Sequence, residues 1–249
     1  MITAITIKEG MNMFISEQDK QEIKRQVGSL VKPIEVVLFS QKIGCEYCPD
    51  TEQLLKELTE ILDNLKLVIY NPLIDVELAA KYSISKEVPA IILRSNKDYN
   101  FKFLGIPAGY EFTWLLNSIL MVANDKLPIS EKTINTIKEI DNMLKNNGAI
   151  LELWVFVTPT CPYCPIMTIN ATAFSVVSDN IKAINVEVSE FQDYAVKYNI
   201  MGVPKTVLKL ITKDQRVIED SIEGALPENK FAEFIKHFVD HKLNTLHKH

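Results

Sequence analysis

Apolar residues recur along this chain with two different periods, and the switches between them predict the elements. The unbroken run Val36-Val37-Leu38-Phe39 has the length and β-branched character of a buried strand, and after it the apolar spacing lengthens to that of a helix. The first part therefore reads as a helix opened by Ser16 and Asp19 and running to about residue 30, then a strand over 35–39 and a long helix to about residue 64. A strand over 65–70, a short helix over 75–82, a hairpin of strands 90–94 and 101–104 around Ser95-Asn96-Lys97-Asp98, and a closing helix over 112–122 follow. The order then returns. Strands are expected over 150–157, 181–188, 206–211 and 216–222, with helices starting at Glu131, Cys164, Glu190 and Glu228. A β-α-β crossover followed by a hairpin and a helix makes a mixed sheet covered by helices, an α/β fold.

The return is a repeat in register. Leu153-Trp154-Val155-Phe156 matches the first strand run, Ala79-Ala80-Lys81-Tyr82-Ser83-Ile84 matches Ala195-Val196-Lys197-Tyr198-Asn199-Ile200 at an offset of 116, and Val88-Pro89 matches Val203-Pro204 at 115. Two domains are expected, 1–125 and 126–249, joined by a short linker at Asn124-Asp125-Lys126-Leu127-Pro128-Ile129, after which Ser130 caps the next helix.

All four cysteines fall in two Cys-x-x-Cys motifs, Cys45-Glu46-Tyr47-Cys48 and Cys161-Pro162-Tyr163-Cys164, each at a strand-to-helix turn. Two sulfurs at that spacing can close a small disulfide ring. The first faces unpaired N–H groups and the positive end of the helix dipole, which favour its thiolate, the species that attacks a foreign disulfide. The second can then resolve the mixed disulfide. Cys45 and Cys161 are accordingly the expected nucleophiles, Cys48 and Cys164 the resolving thiols. The rival chemistry is one zinc ion held by four thiolates, but 112 residues separate Cys48 from Cys161, against roughly 15 to 20 in a compact zinc module. Pro49 and Pro165 follow the motifs directly and suit a first helical turn.

Cys-x-x-Cys at such a turn, Val-Pro some 43 residues later, and Gly105 or Gly224 before a last helix together resemble the thioredoxin fold, here present twice. Thr158-Pro159-Thr160-Cys161-Pro162-Tyr163-Cys164-Pro165 resembles a glutaredoxin active site, and the tandem resembles the glutaredoxin-like protein disulfide oxidoreductases of thermophilic archaea, relatives in architecture of protein disulfide isomerase. The resemblance implies two tandem thioredoxin-like domains, each a central mixed four-stranded sheet flanked by helices. It implies dithiol/disulfide exchange on protein substrates without an external cofactor, and recharging by a flavoprotein thioredoxin reductase. It also implies cis peptide bonds before Pro89 and Pro204, setting the Val88 and Val203 backbones beside the thiols for an extended substrate segment; otherwise these prolines merely start the next strand. The buried aspartate that assists proton transfer in many thioredoxins is not carried over, because Phe39 and Val155 stand six residues before the first cysteines.

Further candidates weigh less. Tyr47 and Tyr163 offer an aromatic rim to substrate or simply pack. Glu35 and Glu152 align at the base of the two strands, as buried proton relays or as solvent-facing carboxylates. His237 and His241 lie one helical turn apart, near His247 and His249, as a partial metal site or a solvated helix end. The rival function is an electron-transfer module between a thioredoxin reductase and a peroxidase, a type that resembles a tandem with one Cys pair lost; both pairs are intact here.

Composition excludes other classes. The chain is 47% hydrophobic and 24% charged with a formal net charge of −5, which leaves no nucleic-acid footprint. Its apolar stretches are far below the roughly 20 residues of a membrane span. The Met1-to-Glu9 segment alternates like a short strand and lacks a basic leader, and the C-terminus carries no retention signal, so a cytoplasmic location is expected.

Glu46 stands where the second motif has Pro162, and a carboxylate beside the Cys45 thiolate disfavours its ionisation. The Cys161 pair should therefore be the more oxidising, since a stabilised thiolate stabilises the reduced form. Glu46→Pro should raise the first site's potential toward the second in a glutathione-buffer titration of single-site variants; an unchanged potential would give burial the larger role.

Overall fold

The structure, a computed structural model, describes residues 13–246; the strand-like Met1-to-Glu9 pattern, His247 and His249 lie outside the described residues. The first half runs α1 (Glu17–Val27), β1 (Ile34–Phe39), α2 (Cys48–Ile61), β2 (Leu65–Tyr70), α3 (Val76–Lys81), β3 (Ala90–Arg94), β4 (Phe101–Leu104) and α4 (Phe112–Asn124). The second runs α5 (Glu131–Asn146), β5 (Ile150–Val157), α6 (Cys164–Val177), β6 (Ile181–Glu187), α7 (Gln192–Lys197), β7 (Lys205–Ile211), β8 (Val217–Glu223) and α8 (Glu228–Leu246). The hydroxyls of Ser16 and Ser130 accept from the Asp19 and Thr133 amides at 3.1 and 3.3 Å, so both helices that open a half start at their expected caps.

Each half forms the expected four-stranded mixed sheet, and the two join into one. The strand order is β2-β1-β3-β4-β6-β5-β7-β8. The join is a parallel pairing of β4 with β6, in which Phe101 to Leu104 face Ala183 to Val186. It consumes one exposed edge from each half and, among the described residues, leaves β2 and β8 as the outer edges. β8 carries Glu219, Asp220 and Glu223 there, charges that resist further strand addition.

The join explains why repeated strands differ in composition. β2, on an outer edge, exposes Lys66 and Ile69, whereas its counterpart β6 is buried from Ala183 to Glu187. Two cores result. The larger lies on the face covered by α1, α2, α4, α5, α6 and α8 and runs without a break across the join, from Leu54 through Trp114 to Phe231. The smaller lies beneath α3 and α7. Across the larger one, the Trp114 indole N–H of α4 donates to the Thr172 hydroxyl of α6 at 2.8 Å, and the Asn185 amide of β6 donates to the same oxygen at 3.2 Å.

The turn from β4 to α4 presses on the second half throughout. The Ile106 amide donates to Glu190 Oε1 at 2.7 Å and the Tyr110 amide to the Pro159 carbonyl at 2.9 Å. Gly109 has φ of +57° and lies so close that an added Cβ would sit 2.2 Å from the Pro159 carbonyl oxygen. Gly28, at the end of α1, has φ of +62° but open space around it. Both positions carry a positive-φ penalty of about 1–3 kcal/mol for a side chain, and only Gly109 adds a backbone clash. Gly28→Ala should lower stability by about 1–3 kcal/mol and Gly109→Ala by clearly more, read from denaturant midpoints; equal losses would mean the two halves do not press together here.

Candidate functional site

Both cysteine pairs close as disulfides, with Cα atoms 5.5 Å apart, and in each the second cysteine is the first residue of its helix, α2 or α6. Pro49 and Pro165 occupy the first turn, where no amide donor is lost. The four sulfurs differ in access. Cys48 and Cys164 are fully buried, Cys45 is half-buried and Cys161 is 8% exposed. In each pair the N-terminal sulfur is the more accessible, as expected, although Cys161 is more enclosed than the motif alone suggests. The Gln41 amide points at Cys48 Sγ, 3.4 Å away.

The Val-Pro segments lie where the repeat places them. Both peptide bonds are cis. Cys161 Sγ is 3.8 Å from the Val203 carbonyl, and Val88 lines one cleft with Cys45. The carbonyls of Pro89 and Pro204 accept from the amides of Gly105 and Gly224, each at 2.8 Å, anchoring the two segments to β4 and β8 alike. Tyr47 and Tyr163 are exposed on the rims, the latter to 65%.

Glu35 is taken up by Arg94, whose Nε donates to it at 2.6 Å, with Lys66 at 3.7 Å; Glu152 accepts from the Trp154 indole N–H at 2.9 Å. The His237 and His241 rings stack at 6.2 Å, and among the described residues no three His, Cys, Asp or Glu side chains group as a metal-binding set.

Sequence reasoning missed a set of acids at the join. Glu111, at the start of α4, is completely buried; its Oε2 accepts from the Thr168 hydroxyl of α6 at 2.9 Å, while Oε1 has no partner among the described residues. Thr168 stands one turn after Cys164, and its hydroxyl lies 3.5 Å from the Cys164 carbonyl. Burial pushes the Glu111 carboxyl up to about 8, with nearby Glu187 adding to the rise. Burial likewise raises Glu190, to about 8, and Glu187. An acid at a helix start normally faces water and the helix dipole, so nothing in the first half alone marks Glu111 as buried. The second half covers it.

The comparisons agree with this architecture. Residues 151–233 match the thioredoxin domain family. The chain is 24% identical over 189 residues to the alkyl hydroperoxide reductase AhpF of Pseudomonas aeruginosa, an alignment covering 76% of this chain and 32% of that protein, so the chain spans about a third of the length of such relatives. A protein disulfide oxidoreductase from Aeropyrum pernix superposes with a TM-score of 0.77 at 24% identity, over 96% of this chain and 97% of that one. The NTD_N/C domain of alkylhydroperoxide reductase AhpF from Enterococcus faecalis gives 0.74 at 19% identity, over 89% and 99%.

The raised Glu111 has a thermodynamic signature. Its carboxyl titrates near 4.5 when unfolded and near 8 when folded, so the folded state holds the proton more tightly and stability falls as pH rises between those values. Glu111→Gln removes that loss. The variant should gain on the parent by on the order of 1 kcal/mol per pH unit from about pH 5 to pH 8 in urea unfolding, and a constant difference would place the carboxyl in water. The chain is a tandem of two thioredoxin folds, joined edge to edge in a single eight-stranded sheet.

Proposed function

We propose that this chain is a protein disulfide oxidoreductase that exchanges dithiols and disulfides in protein substrates at two sites. The observation that carries the reading is the pair of disulfides, one per half, each with a buried second sulfur at a helix start and a more accessible first sulfur beside a Val-Pro segment.

In the reductive direction the Cys45 or Cys161 thiolate attacks a substrate disulfide, forming a mixed disulfide and releasing one substrate thiolate. The Cys48 or Cys164 thiolate then attacks the protein sulfur of that bond, which releases the second substrate thiol. Two electrons pass to the substrate and the Cys-x-x-Cys pair ends as a disulfide. Oxidation of a substrate dithiol runs the same steps backward. Buried Cys48 and Cys164 suit intramolecular attack, because no foreign disulfide reaches them. At the second site the buried Glu111 accepts from the Thr168 hydroxyl of α6, one turn after Cys164. Val88 and Val203 offer main-chain groups to an extended substrate, with Tyr47 and Tyr163 at the rims.

The redox group is the protein's own disulfide. The two units are 1–125 and 126–249, the electron donor is a flavoprotein of the thioredoxin reductase type, and the location is cytoplasmic; no helix among the described residues is long and apolar enough to cross a membrane. A second reading, an electron carrier to a peroxidase, draws on the likeness to the alkylhydroperoxide reductase domain. Two intact Cys pairs favour the first.

Cys45→Ser combined with Cys161→Ser should abolish insulin reduction by dithiothreitol-charged protein, while each single variant keeps part of it. Cys164→Ser should accumulate a mixed disulfide through Cys161 that reducing agent releases. Wild-type turnover in the double variant would end the reading, and efficient reduction of a peroxidase without reduction of insulin would favour the carrier.

A further inference from the structure

The two sites repeat a framework but not its surroundings. Cys45 opens into a cleft of about 660 Å³ whose walls come from both halves: Glu46, Lys86 and Glu87 from the first, Glu190 and Asp193 from the second. Acids dominate. Among the described residues Lys86 is the one ammonium lining the cleft, and it pairs with Asp193 across the halves at 3.2 Å, so Glu46 and Glu87 share the cleft with no second cation. Burial alone would raise Glu87, but the amide and hydroxyl of Ser85 outweigh it and hold the carboxyl below its usual range, so it stays ionised. The Tyr47 phenol beside Cys45 reports the same field. It is raised first by the charge of Glu46 and then by burial, with Glu190, Glu187 and Asp50 pushing the same way.

The second site has the opposite character. No charged residue occurs in 158–165, in 199–204 around Val203, or in the 105–110 segment that presses on Pro159. What it exposes is uncharged and largely apolar or aromatic, Met201 to 85% with Tyr110, Tyr163 and Ile166, beside the polar Thr160 and Asn199. Enclosure of the sulfurs runs the other way, since Cys45 is half-buried in its open cleft whereas Cys161 is 8% exposed beneath a rim on which Tyr163 stands out.

We propose that the Cys45 site selects disulfides flanked by basic residues, while the Cys161 site takes uncharged, apolar segments, so that one chain serves two substrate classes. The proposal rests on the disulfide-exchange reading and adds its substrate preference. A lysine or arginine next to the attacked cysteine lies within reach of Glu46 and Glu87, and each such partly exposed pair strengthens binding by only a few fold. Two pairs acting together amount to about a tenfold preference.

The test separates the sites. Cys161→Ser/Cys164→Ser leaves the first site alone, and Cys45→Ser/Cys48→Ser the second; each full-length variant is reduced, desalted and mixed with disulfide peptides that differ only in Lys or Glu flanking the cysteines. Uncharged bis(2-hydroxyethyl) disulfide is the reference substrate. At low salt the first site should react about tenfold faster with the Lys peptide than with the Glu peptide. The ratio should fall toward unity in about 0.5 M salt and on introducing Glu46→Gln with Glu87→Gln. The second site should show a ratio near one, which also excludes the overall charge of −5 as the cause. A ratio near one at the first site, with the uncharged disulfide still reduced, overturns the preference, as does an equal Lys preference at both sites. Failure of the first site to reduce the uncharged disulfide overturns the exchange reading instead.

Discussion

The parallel pairing of β4 with β6 is the interaction on which the remaining architecture depends. Strand edges are open hydrogen-bonding templates, and closing one from each half turns two small sheets into a single one. The side-chain links between the halves gather along that line: Trp114 with Thr172 on one face, Lys86 with Asp193 and Glu87 with Tyr194 on the other. The pairing brings the β4–α4 turn against Pro159 and the β6–α7 segment against the Cys45 cleft. Each half therefore contributes to the surroundings of the other's Cys-x-x-Cys pair.

That arrangement accounts for the buried acids. Glu111, Glu187 and Glu190 belong to two halves, and each would face water if its half stood alone; the joined sheet removes that water and supplies few donors in return. Desolvation then outweighs the available hydrogen bonds, and all three carboxyls rise. Gly105 shows how close the approach is, since a Cβ there would stand 2.7 Å from Glu187 Cβ. Placing acids on this line costs stability at neutral pH, because the folded state holds their protons more tightly than the unfolded chain does.

Much of this was legible in the sequence. Period and turn residues placed the strands to within a residue or two, because each buried run is bounded by polar or proline breaks. The repeat placed the cysteines, the Val-Pro segments and Gly105 with Gly224, since these are local features at fixed offsets. The join was not legible. β6 carries Asn185 and Glu187 where a fully buried strand would be apolar throughout, and only its partner β4 makes sense of the burial. Glu35 and Glu152 align in the repeat, yet Arg94 and Trp154 occupy them; Glu111 lies between Gly105 and α4, where the repeat's offset shifts and aligns no residue with it. Repetition reveals what the halves share and hides what arises between them.

The segment 105–111 bridges the surroundings of the two sites. Its first end is held by Glu190, which also lines the Cys45 cleft, and its last residue, Glu111, bonds to the helix that carries Cys164. Gly109 and Tyr110 between them rest on the loop before Cys161. The span is buried from Gly105 to Ala108 and again at Glu111, and only Gly109 and Tyr110 reach toward solvent. Burial, with Glu187 and Glu46 adding to it, raises Glu190 to about 8 even though it accepts from the Ile106 amide.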